Sequence, residues 1–79
     1  MTRAERKAIE KARMAIVAVR VFAKQRALRQ VKNEAKARGE RISDYSHKQW
    51  TLMAEARMGD PEIVAEARAM AMACGYIAA

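Results

Sequence analysis

Residues 3–38 read RAERKAIEKARMAIVAVRVFAKQRALRQVKNEAKAR, a stretch with neither glycine nor proline. Ala, Arg, Lys, Glu, Leu and Met dominate it, and these residues lose least on entering a helix. Thr2 stands before the stretch as an N-cap, and Glu5 three residues later completes a capping box. Gly39 follows it, where a left-handed C-cap belongs. The stretch therefore predicts one helix over about 3–38, roughly 54 Å long at 1.5 Å per residue. Its apolar positions do not form a straight line. They follow Ala8, Ala12, Ala15, Val19, Phe22 and Ala23, with Ile9 and Ile16 beside them, then shift to Ala27, Leu28, Val31 and Ala35. Either the helix kinks near Lys24 to Arg26 or its two ends bury different faces.

Two further helices follow from punctuation. Ser46 and Gln49 make a second capping box, with Tyr45 and Trp50 placed as a hydrophobic staple, so a helix is expected over about 46–58. Asp60-Pro61-Glu62 supplies an N-cap, a proline at the first helical position and an acid at the positive end of the dipole, opening a third helix over about 61–74. Gly59 and Gly75, like Gly39, stand where left-handed C-caps are expected. Residues 69–79 carry no charge, which suits a buried or interfacial segment. Met53 to Arg57 echoes Val64 to Arg68, at a spacing too short for a solenoid unit. The expected architecture is all-α: a single domain over 1–79, with one long N-terminal helix packed against a C-terminal helical hairpin. A chain of 79 residues buries only about 60% of its unfolded surface. The hairpin covers about half of the first helix. Dimerisation is therefore expected to complete the core, through Ile16, Val19, Phe22, Met70, Tyr76 and Ile77.

Charge is the strongest pointer to function. Residues 1–41 hold thirteen Lys and Arg against four acids, a net +9; residues 42–79 hold three against five, a net −2. Such a split points to a polyanionic partner for one half only. At 100° per residue Arg6, Arg13, Arg20 and Lys24 fall within about 40° of one another. Arg26, Arg29, Lys32 and Lys36 form a second group on the side opposite Leu28 and Val31. Glu34 and Arg38 are the only Glu-to-Lys/Arg pair four apart in this helix, so the positive charge is not internally balanced. Arg20 is the single charge in the run 14–23; it either snorkels, pairs with Glu62 or Glu66, or meets a phosphate.

Catalytic chemistry finds no foothold. His47 is the only histidine and reads as a polar surface residue, while Cys74 reads as a small buried hydrophobe. One of each makes no zinc site, and the isolated glycines make no phosphate loop. No metal or other cofactor is expected. A lone cysteine fits a reducing compartment. The run 14–23 is too short to span a bilayer and makes a poor signal peptide, so the chain reads as cytoplasmic. A helix-turn-helix is a poor match: Asp60 follows the turn glycine, and the third helix holds two glutamates and only Arg68 as a base. The expectation is a small basic non-enzymatic accessory protein that binds nucleic acid or a nucleoprotein through phosphate contacts of the first helix. The alternative is an adaptor or inhibitor of the phage or mobile-element kind, docking that helix on an acidic surface of a larger protein.

Overall fold

A computed structural model describes residues 1–77. It contains three α-helices, α1 (Arg3–Ala37), α2 (His47–Arg57) and α3 (Pro61–Ala73), with a 3-10 turn at Ile42–Asp44 and no strand among the described residues. Both capping boxes form. Thr2 Oγ1 accepts from Glu5 N–H and Glu5 Oε2 accepts from Thr2 N–H, each at 3.2 Å. Ser46 and Gln49 repeat the exchange at 2.7 and 3.2 Å. Gly39 (φ 82°) and Gly75 (φ 80°) end α1 and α3 in left-handed geometry. At α1, Glu40 N–H reaches Ala35 O and Gly39 N–H reaches Lys36 O, both at 3.0 Å, which is a Schellman closure.

Two capping expectations are corrected. Gly59 is not left-handed; the α2–α3 turn closes instead through Asp60 N–H to Arg57 O at 3.0 Å. Asp60 occupies the N-cap position of α3, but its carboxylate accepts from Arg57 Nη1 at 3.3 Å rather than from its own helix.

The expected hairpin is corrected too. α2 and α3 each pack along α1 and make few contacts with each other. Trp50, early in α2, joins Val31 and Ala35, whereas Met58 at its end packs on the cluster of Ala23 and Ala27. Ile63 and Ala67 of α3 meet that same cluster, and Tyr76 reaches Phe22. α2 therefore runs from the C-terminal end of α1 back to its middle, and α3 continues from there along the first half of α1, from Arg26 beside Glu66 to Phe22 beside Tyr76.

α1 is one continuous helix. Its 35 residues amount to roughly 52 Å, and the long axis of the molecule measures 55 Å, which leaves no room for a sharp kink. The shifting apolar stripe has another cause. Ala23, Ala27, Val31 and Ala35 are buried, and their spacing of four residues is that of a helix ridge inclined about 26° to the axis. α2 and α3 follow that inclined ridge, so the buried face winds without the helix bending.

Seven of the ten buried hydrophobic residues are alanines, and Ala27, Ala54, Ala67 and Ala71 are wholly covered. Small side chains let helix backbones approach toward the lower end of the usual 8–10 Å separation. Such contacts leave no room for extra methylenes. Ala27→Leu is expected to destabilise the fold by about 1–3 kcal/mol through overpacking, read as a lowered urea midpoint. An unchanged midpoint would show that the α1–α3 contact is loose.

Candidate nucleic-acid interface

Helix α1 holds most of the cations, and its first turns project beyond the covering helices: residues 1–14 are all exposed. Arg6, Arg13, Arg20 and Lys24 are exposed along one side, and none has an ion-pair partner among the described residues. Arg20 does not reach Glu62 or Glu66. Arg6, Arg13 and Arg20 repeat every seven residues, about 10.5 Å apart, so the row is a line of separate charges. Arg3, Lys7 and Lys11 are exposed on the same projecting turns. Sequence reasoning passed over these three because they lie off the straight row. The signal was the length of α2 and α3, too short to cover that end.

The second group is divided. Arg26 is half-buried, and its guanidinium binds Glu66 on α3 and donates to Gln30 at 2.9 Å. Lys32 holds its ammonium 5.9 Å from the centre of the Trp50 ring, within reach of a cation–π attraction. Arg29 and Lys36 remain exposed. The split arises because α3 brings an acid beside Arg26 and α2 brings an aromatic ring beside Lys32.

Glu34 near the end of α1 and Glu40 just beyond it are engaged by the fold. Glu34 does not pair with Arg38 four residues on; it receives Arg57 Nη2 of α2 at 2.7 and 2.6 Å. Arg38 instead pairs with Glu40 at 3.1 and 3.0 Å, and Glu40 also accepts the Tyr45 hydroxyl at 2.7 Å. The side-chain hydrogen bond from Gln30, then that from Arg57, hold the Glu34 carboxyl below its ordinary 4.5. Arg38 and then Tyr45 do the same for Glu40. The folded chain thus keeps both groups ionised to lower pH than the unfolded chain does. Their contribution is complete above about pH 4.5 and is lost as pH falls through the depressed folded values. Both sites are solvent-screened, so the effect is modest. The melting temperature is expected to fall between about pH 5 and pH 3, and to fall less steeply in the variant carrying Glu34→Gln and Glu40→Gln. Equal slopes in thermal melts would remove these pairs from the account.

The apolar candidates also divide. Val19 and Phe22 are half-buried and pack on the intramolecular core, and Phe22 meets Tyr76 with ring centres 6.4 Å apart. Ile16, Met70 and Tyr76 are exposed, and Ile77 is half-buried. Met14, Val17 and Val21 are exposed as well, on a side of α1 that neither α2 nor α3 covers. The turns from Met14 to Ala23 are apolar nearly all round in sequence, and these three stand on the side of the cylinder away from the apolar stripe. Of the uncharged C-terminal segment, only Ala71 is buried; Ala78 and Ala79 lie outside the described residues. Cys74 is exposed at the end of α3, not buried as its apolar neighbours suggested. His47 is exposed at the start of α2. Among the described residues no group of three His, Cys, Asp or Glu is placed to hold a metal, and no helix is long and apolar enough to cross a membrane.

The arrangement suits charge-assisted contacts to phosphate oxygens, which arginine makes in bidentate form and lysine as a point charge. Comparison with known proteins finds no matching family model, no matching curated protein and no matching solved structure.

Proposed function

We propose that the protein is a small basic accessory protein that binds nucleic acid or a nucleoprotein through phosphate contacts of α1, and that it acts as a self-associated helical assembly rather than as an enzyme. The observation that carries this reading is the row Arg6, Arg13, Arg20 and Lys24, exposed and unpaired among the described residues while Arg26, Arg38 and Arg57 are engaged by acids. Concentrated like charge repels itself, and a polyanion relieves that repulsion. Contacts to phosphates position a protein without reading bases, so binding is expected to be weakly sequence-specific and strongly salt-dependent. Titration of labelled duplex, single-stranded DNA and RNA at about 50 mM salt, repeated at about 200 mM, tests it. Absence of binding to all three at the lower salt would remove the proposal.

One observation favours a second reading, an adaptor or inhibitor docking on an acidic protein surface. Ile9 and Ile16 are exposed directly beside the basic row. A mixed apolar and cationic helix face fits a protein groove better than a bare phosphate backbone. A stoichiometric protein partner retained after nuclease treatment would decide for it.

A further inference from the structure

We infer that the uncovered side of α1 is the seat of a second copy of this chain, in an antiparallel two-fold pair centred near Val17. The assignment rests on the self-association proposed above and gives it a location and a register.

Glu10, Met14, Val17, Val21 and Lys24 are spaced four, three, four and three residues apart, the a and d positions of two heptads. At 100° per residue they stay within about 80° of one another. All five are exposed; Met14, Val17 and Val21 are 54, 53 and 47% exposed. The same line continues into Leu28, Val31 and Ala35, where Tyr45 and, from α2, Trp50 and Met53 cover it. α2 ends at Arg57 and the chain crosses to α3, leaving the first part of the seam open. A helix packed on the open part extends an interface the fold already uses.

The ends of the open seam carry opposite charges. Glu10 and Lys24 each stand seven residues from Val17, in opposite directions. A two-fold axis near Val17 therefore sets Glu10 of one copy against Lys24 of the other, twice, with the three apolar residues between. A parallel pair would instead set Glu10 on Glu10 and Lys24 on Lys24. Neither residue has an ion-pair partner within the chain among the described residues, and the pairing takes Lys24 out of the phosphate-contacting row, which keeps Arg6, Arg13 and Arg20. Beside the seam lies a mainly apolar notch of about 150 Å³ between α1 and Tyr76, bordered by Met14, Ala18 and Phe22. The notch is open to solvent, and an apolar side chain from the second copy would cover its apolar walls.

Solution mass, measured by light scattering or sedimentation on nuclease-treated protein across a micromolar dilution series, is the test. The wild-type chain is expected to be dimeric at the upper end. Val17→Glu is expected to yield a monomer with unchanged helical circular dichroism, since the side chain is exposed. Glu10→Lys and Lys24→Glu are each expected to raise the dimer Kd on the order of tenfold, because both symmetric pairs turn repulsive. The variant carrying both changes is expected to recover. A monomeric wild-type chain overturns self-association altogether. A dimer indifferent to Val17→Glu, or single reversals not rescued by the double, overturns this seat and register while leaving self-association standing.

Discussion

Trp50→Ala is expected to cost about 3–5 kcal/mol and to leave much of the chain unfolded at room temperature. Trp50 is the largest side chain in a core otherwise built of alanine, valine and isoleucine, and it is 4% exposed. It joins Val31 and Ala35 of α1, meets the Tyr45 ring at a tilt with centres 4.8 Å apart, and donates its Nε1–H to Ile42 O at 3.0 Å. That last bond fastens the 3-10 turn, whose geometry is held in addition by Arg41 N–H on Asp44 Oδ2 at 2.8 Å. Losing the ring removes the main α1–α2 contact and the anchor of the connecting segment together. Domains commonly hold only about 5–15 kcal/mol in total, and an alanine-rich core places this one near the lower end. Urea unfolding followed by circular dichroism measures the loss. Trp50→Phe separates the parts: it retains most of the packing and is expected to cost about 1–3 kcal/mol, chiefly through loss of the indole bond to Ile42 O, which then keeps only Tyr45 N–H at 3.4 Å. A Trp50→Ala midpoint close to wild type would show that α2 is held by something other than this residue.

Reversal of Arg6, Arg13 and Arg20 to glutamate is expected to abolish detectable nucleic-acid binding at moderate salt while leaving helix content unchanged. The side chains are exposed and unpaired among the described residues, so the fold loses nothing with them. Each phosphate contact contributes about −0.9 to the slope of log Kobs against log salt on duplex DNA. Loss of three contacts should therefore flatten that slope by about 2.7. The same reversal at Arg26 and Lys32 has a different meaning. Arg26→Glu would set like charge on Glu66, and Lys32→Glu would withdraw the ammonium from Trp50, so both disturb the packing of α1. Retained binding and slope in the triple variant would move the interface off this row.

The helices were legible in the chain because their ends are local events. Thr2 with Glu5, and Ser46 with Gln49, satisfy backbone N–H groups within one turn, so the residues needed to recognise a start lie beside one another. Tyr45 beside Trp50 and the left-handed glycines 39 and 75 are read in the same way. Gly59 shows where that reading stops. Its position after a helix is shared with the other two glycines, but the chain direction beyond it depends on what α3 packs against. The same limit separates the cations. Thirteen bases in residues 1–41 announced a basic helix from composition alone. Which of them stay free was set by partners far along the chain: Glu66 forty residues from Arg26, and Arg57 twenty-three from Glu34. Charge sign and helical phase are properties of the residues and their spacing. Pairing, burial and the open side of α1 depend on where α2 and α3 come to rest, and that follows the inclined ridge of alanines they share with α1.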